Sequence, residues 1–213
     1  MLVNAIHSRS MTYTELATQT SINTTFEHLQ TRNIHPQLVN SKLEALAAIK
    51  KLIPDGASVM TGSSTTLEQI GFIELLKSGG HPWNNLKAAI VTEQDPAKQA
   101  ELRRQSSLSQ FFLGSIHALT EDGQALIASA SGSQLPSYAF TSDNVIWVVG
   151  AQKIVPNLEA AFDRLRSYVL PLEDKRMKAT GASGSTIGKI LVFEREIMPR
   201  QIHLILVNEQ LGF

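Results

Sequence analysis

Three short stretches of this chain carry residues whose types and spacing could do chemistry. The first is Gly62-Ser63-Ser64-Thr65-Thr66, a small and hydroxylated run directly after an apolar segment and directly before a helical pattern. Such a turn offers free backbone amides, the positive end of a helix dipole and several hydroxyls, which together suit an anionic ligand. The same residues also make an ordinary strand-to-helix joint. The second stretch is Glu121-Asp122, adjacent carboxylates on a turn, able to act as base, acid or nucleophile when partly desolvated. A solvated hairpin turn has the same spacing. The third is the pair His117 and Lys153, a histidine just ahead of the carboxylates and a lysine just past an apolar strand. Lys153 could counter the charge of an anion and His117 could share its pocket; each also fits a packed or surface side chain. The six histidines show no HxxxH or HxH pairing, so no metal site is expected. GASGSTIG at 181–188 lacks the Lys-Ser/Thr ending of a phosphate loop and reads as a linker.

The elements that must position these groups follow from the pattern around them. Pro54-Asp55-Gly56 is turn chemistry, Ala57–Met60 a buried strand, and Thr65 with Glu68 a capping box opening a helix that Ser78-Gly79-Gly80 stops. Ligands in open parallel sheets gather at such strand ends. Arg32–Val39 reads as an edge strand, since Pro36 lacks a ladder donor, and Ser41 with Glu44 starts the next helix. Leu86–Val91 is a further apolar run, and Asp95-Pro96 opens a helix carrying Arg103 and Arg104 on its solvated side. Phe111-Phe112-Leu113 and Asn144–Val149 are core strands, with Glu121-Asp122-Gly123 turning between two shorter ones. Asn157 caps a helix that Pro171 closes, and Lys189–Glu194 and Gln201–Val207 are the last strands. Strands alternating with helices imply an α/β fold, a mostly parallel sheet covered on both faces. Residues 1–31 are polar with scattered apolar anchors, a helical extension ahead of a main domain at 32–213.

Composition narrows the function classes. A chain of 213 residues with 43% hydrophobic content can bury a full core as one domain. Nineteen basic and nineteen acidic residues cancel, so the electrostatic footprint of a nucleic-acid binder is missing. A net charge of zero leaves self-association into a homo-oligomer unopposed. With no cysteine there is no disulfide, no thiolate nucleophile and no cysteine-bound iron–sulfur cluster. No apolar run approaches the ~20 residues of a membrane span, and the first residues lack a leader pattern, so a cytoplasmic location is the default expectation.

The motifs GSSTTLEQIG (62–71), LTEDGQAL (119–126), VVGAQKIVPNLEAAFDRLR (148–166), LPLEDKR (170–176) and IHLILVNEQLGF (202–213) stand in an order that resembles the LUD-domain family, the lactate-utilisation LutC/YkgG-like proteins. The resemblance covers roughly residues 35–213. It implies a Rossmann-like three-layer α/β/α fold of the NagB/RpiA/CoA-transferase-like kind, with a ligand cleft at the strand ends. A phosphate or carboxylate would sit on Gly62–Thr66, with catalytic carboxylates in the region of Glu121 and Asp122. Family members are linked to oxidation of L-lactate to pyruvate alongside iron–sulfur partner proteins. Two departures accompany it. His117 stands where relatives commonly carry asparagine, and KATGASGSTIGK (178–189) replaces a stretch that is cysteine-rich in some relatives, so any cluster belongs to a partner.

Three roles are then open. One is an accessory subunit of lactate oxidation that binds a small carboxylate or an anionic cofactor of unspecified identity. A second is a stand-alone isomerase or CoA-transferase-like enzyme using Glu121 or Asp122. The third is a non-catalytic regulatory module that binds its ligand at Gly62–Thr66.

Overall fold

The computed structural model describes residues 12–213; the first eleven residues of the expected helical extension lie outside the described residues. In chain order the strands are β1 (Ile34–Val39), β2 (Ser58–Thr61), β3 (Asn84–Asn85), β4 (Phe111–Gly114), β5 (Ala118–Thr120), β6 (Ala125–Ser129), β7 (Asn144–Gly150), β8 (Ile154–Val155), β9 (Lys189–Phe193) and β10 (Gln201–Val207). The helices are α1 (Gln19–Thr31), α2 (Lys42–Leu52), α3 (Thr65–Gln69), α4 (Phe72–Ser78), α5 (Leu86–Thr92), α6 (Pro96–Gln105), α7 (Leu158–Asp163) and α8 (Leu170–Ala179).

Six strands form one all-parallel sheet in the order β1-β10-β7-β4-β2-β3. Its central strands are apolar at successive positions because both faces are covered. Val59, Leu113, Ile146, Val148 and Ile205 point to one face and pack with α2, α3 and α4 through Ala45, Ile49, Leu67 and Phe72. Phe112, Val145, Trp147, Leu204 and Leu206 point to the other and meet Ile22 and Leu29 of α1. Each fully buried aliphatic side chain contributes about 1.5–3 kcal/mol relative to exposure. The result is the Rossmann-like α/β layering with a parallel sheet at its centre. Pro36 does lie in an edge strand, with β1 paired only to β10 among the described residues.

A second sheet, β8-β5-β6-β9, was not legible from the periodicity. Its β5–β6 hairpin and antiparallel β9 lie over the α1 side of the large sheet, through Leu119, Ala125, Ile127 and Phe193. On the outer side of this small sheet, Ala118 and Leu126 meet Ala161, Leu165 and Val169 of the α7–α8 region.

Three local expectations are corrected. The helix after Gly62 is capped by Ser64, whose Oγ accepts from Leu67 N at 3.3 Å, and not by Thr65. It then breaks at Gly71, whose φ of +81° is left-handed backbone that glycine adopts without strain, so α3 and α4 are separate helices. The apolar run from Leu86 is helix α5, started by Asn85 accepting from Lys87 N. Pro171 does not close a helix: α7 passes through a wider π-type turn at Arg164–Val169 into α8, and Pro171 lies in the first turn of α8, where little is lost with its missing amide.

Candidate functional site

The carboxyl ends of β2, β4 and β7 are neighbours in the large sheet, and the segments leaving them converge on a cavity of about 580 Å³. From β2 comes the Gly62 turn: Gly62, Ser63, Ser64, Thr65 and Thr66 all line the cavity. The turn is tied from two sides. Lys87 Nζ of α5 donates to Gly62 O at 2.9 Å, and the Gln134 amide oxygen lies where a Cβ on residue 62 would stand, so a larger residue there displaces the glutamine side chain.

From β4 comes Ser115-Ile116-His117, and from β7 comes Lys153. The Lys153 amine reaches back across the strand ends and donates to Thr66 Oγ1 at 3.2 Å, Ser115 Oγ at 3.1 Å and Ile116 O at 3.2 Å. Lys153 is therefore the group that joins the three segments. Its side chain is 2% exposed, and burial with the nearby Arg164 charge pushes its pKa well below the ordinary lysine range. His117 accepts from Ala128 N through Nδ1 at 3.0 Å, which places its own proton on Nε2. Burial first, then the Lys153 and Arg164 charges, lower its pKa to about 3, so the ring is neutral. Lys87 is lowered as well, mainly by burial. The hydroxyl of Tyr138, also in the wall, donates to Ser115 O at 2.7 Å and is held protonated by burial.

Arg164 is wholly buried beside this group. It donates to His117 O and lies over the rings of Tyr13 and Tyr168 at 5.8 and 5.3 Å. Its Nε and Nη2 have no hydrogen-bond partner among the described residues.

The outer wall is supplied by helices distant in sequence. Arg176 of α8 is held by Glu173 through two 2.7 Å contacts and reaches Ser63 Oγ at 3.4 Å, so it bridges α8 to the Gly62 turn. Arg103 of α6, exposed as expected on the solvated side of its helix, lines the mouth of the cavity too, and Gly184–Ile187 of the expected linker form part of the wall. Among the described residues, Lys87, Arg103 and Arg176 face this cavity with the buried Lys153 amine between them, against one side-chain carboxylate, Glu173, already paired. The site is thus cationic and rich in hydroxyl donors, suited to a carboxylate or phosphate. Lys87, Arg103 and Arg176 were not singled out from the sequence. Arg176 closes a motif of the family resemblance, and its i,i+3 spacing from Glu173 was the one local signal.

Glu121 and Asp122 lie elsewhere. His117 begins the β5–β6 hairpin at the cavity, and the three residues of β5 carry the chain about 10 Å away before the turn. There the turn is gripped by α1 and its end. Ser21 Oγ donates to Glu121 Oε1 at 2.5 Å, His28 Nδ1 lies 2.7 Å from Glu121 O, and Arg32 Nε donates to Asp122 O at 2.7 Å. Neither carboxylate lines the cavity. The structure brings together the Gly62 turn, His117 and Lys153, and does not bring the acidic turn to them. No group of three or more His, Cys, Asp or Glu side chains suited to a metal ion occurs among the described residues. No described helix is long and apolar enough to cross a membrane.

Comparison with solved structures finds a similar fold in the crystal structure of a DUF162-family protein from Deinococcus radiodurans. The TM-score is 0.54 at 11% identity, over 91% of this chain and 100% of that chain. At that identity the likeness bears on the fold. No curated protein matches the chain. The family model of the LUD domain matches residues 22–207, from within α1 to the end of β10 and across every strand end that builds the cavity. The chain belongs to the LUD domain family.

Proposed function

We propose that this protein binds a small organic anion in the cavity at the ends of β2, β4 and β7, as an accessory component of lactate utilisation. The single observation that carries the reading is the charge of the wall, in which Lys87, Arg103 and Arg176 outnumber one paired side-chain carboxylate. A carboxylate of lactate or pyruvate, or a phosphate, gains charge-assisted hydrogen bonds from Arg103 and Arg176 at the rim and from hydroxyls of the Gly62 turn. Assignment to lactate utilisation, in the cytoplasm and with iron–sulfur partner proteins, is supported by the family and by a chain without cysteine of its own. The acidic turn has no part in this reading, since α1 holds it away from the cavity.

The test is thermal-shift titration of the purified chain with lactate, pyruvate, inorganic phosphate, sugar phosphates and CoA. At ~100 times its dissociation constant a ligand stabilises the fold by about 2.7 kcal/mol. The expected result is a saturable rise with a small carboxylate or phosphate that Arg176→Ala weakens. A panel without any response would overturn the reading.

A further inference from the structure

Lys153 is buried at the cavity floor with only neutral oxygens around its amine: Thr66 Oγ1, Ser115 Oγ and Ile116 O at 3.1–3.2 Å. No carboxylate salt-bridges it among the described residues. The charged side chain that acts on it is Arg164, a second cation. Arg164 is fixed between Tyr13, Tyr168 and His117 O, so it cannot swing away to relieve the repulsion. The other titratable group beside the amine, His117, is neutral. Desolvation and an adjacent cation both favour the free amine over the ammonium ion, and these are the two means by which a lysine becomes a nucleophile near neutral pH.

We propose that Lys153 is a nucleophilic amine that condenses with the carbonyl carbon of a small oxo acid held in this cavity. The inference rests on the anion-binding reading for the placement of the acid's carboxylate against Arg103 and Arg176. In the step, the Nζ lone pair attacks the carbonyl carbon, a C–N bond forms, and the C=O π pair moves onto oxygen. A proton passes from nitrogen to that oxygen through the hydroxyl of Ser115 or Thr66, both within hydrogen-bond reach of Nζ. The C–O bond then breaks as the nitrogen lone pair forms the C=N bond, the second N–H proton passes to the departing hydroxide by the same hydroxyls, and water leaves with Lys153 joined to the ligand. One water is lost, and nothing is oxidised or reduced. Arg164 touches no ligand; it is a positioning residue that acts through the charge state of Lys153.

The experiment is reductive trapping on the full chain. Pyruvate or glyoxylate is added near neutral pH with cyanoborohydride, whose hydride converts the imine into a stable secondary amine, and labelled peptides are mapped by mass. The expected result is one adduct on Lys153, formed roughly tenfold or more faster than on exposed lysines such as Lys50. Lys153→Arg and Lys153→Met leave the surface labelling unchanged and remove the adduct. Arg164→Gln moves the pH profile of trapping to higher pH, and Arg164→Lys restores it, a shift that a merely structural role would not produce. Labelling confined to surface lysines, in a protein whose melting temperature still rises with pyruvate, would overturn the nucleophile and leave the anion site standing. Absence of both the adduct and the thermal response would overturn the two together.

Discussion

Gly212 stands against Lys153 so closely that a Cβ added there would come within 3.1 Å of the lysine Nζ and 2.3 Å of Thr66 Oγ1. Its φ of +62° is left-handed, and its amide donates to Gln69 Oε1 at 2.7 Å, so the segment after β10 is pinned over the cavity floor. For Gly212→Ala the backbone alone costs about 1–2 kcal/mol. In a chain of this size that corresponds to a melting temperature lower by roughly 2–4 °C per kcal/mol. The added methyl group also displaces Thr66 or the Lys153 amine, so the thermal response to small anions shrinks. Calorimetry with and without pyruvate checks both effects; an unchanged response would mean that the segment does not help shape the site.

Acid lability should centre on His117. In the folded chain its pKa is lowered to about 3 from an ordinary 6.5, chiefly by burial. Between those values the unfolded chain binds a proton that the native state refuses, so stability rises with pH across the window. The contribution is complete above about pH 6.5 and falls away as the pH drops toward about 3, with a slope of at most about 1.4 kcal/mol per unit. His117→Gln keeps an acceptor for Ala128 N and removes this part of the dependence. Urea unfolding midpoints over a pH series should therefore converge for the two proteins at low pH. Parallel curves would refute the assignment.

The sequence made the floor of the site legible and hid its walls. Gly62–Thr66, His117 and Lys153 each follow a strand within a few residues, so strand-end logic alone points to them. The acidic turn obeyed the same local rule, yet one three-residue strand carries Glu121 off to α1, and no local pattern records the direction in which a short hairpin points. Arg103 and Arg176 reach the cavity only because α6 and α8 fold back over the strand ends, and helical periodicity fixes a face without saying what it will meet. The β5–β6 hairpin and β9 were expected as strands, but not their grouping into a second sheet, and β8, two residues long, is too short for alternation to register. Ser64 displaced Thr65 as the cap because both are good caps and only backbone geometry separates them.

Lys153→Met should uncouple stability from binding. Folding takes the Lys153 side chain, an ammonium ion in water, into a site without a counter-charge, where it must give up its proton or its hydration, and methionine removes that penalty at similar length. Thr66 Oγ1 and Ser115 Oγ remain 3.2 Å apart and bonded to each other, which leaves Ile116 O as the acceptor that loses a donor. Replacing buried charge by an apolar group of similar volume is often neutral or stabilising by about 1–4 kcal/mol. The expected variant melts at or above the parent temperature, still responds to phosphate, and has lost the extra stabilisation that an oxo acid gains from the amine. If it unfolds instead, Lys153 is a structural pin between β2, β4 and β7.

Glu121→Gln and Asp122→Asn should leave anion binding intact. Glutamine at 121 still offers an oxygen to Ser21 Oγ, and the backbone oxygens that receive His28 and Arg32 are untouched. The loss is expected to stay near the 0.5–1.5 kcal/mol of a typical hydrogen bond, about 1 kcal/mol. Titration of both variants with the anion that stabilises the parent decides the matter. A response lost in either variant at unchanged fold would return the acidic turn to the site.

The wall that carries Tyr138 depends on a buried cation that does not itself line the cavity. Arg200 gives its guanidinium to Ser137 O, Tyr138 O, Ala139 O and Ser142 O at 2.8–3.3 Å and pairs with Glu196 at 3.0 Å. Both partners of that pair are under a tenth exposed. Arg200→Ala strips donors from four carbonyls and leaves the Glu196 carboxylate buried without its counter-charge, a change that costs about 3–5 kcal/mol when one partner of a buried pair is removed. Arg200→Lys keeps the charge but not the planar fork, so it should recover part of the loss. With the turn at Ser137–Thr141 loosened, the Tyr138 hydroxyl no longer holds Ser115 O, and anion affinity falls together with stability. Denaturant unfolding of the two variants measures the first effect and ligand titration of Arg200→Lys the second; full stability in Arg200→Ala would show that the turn is held by its apolar contacts instead.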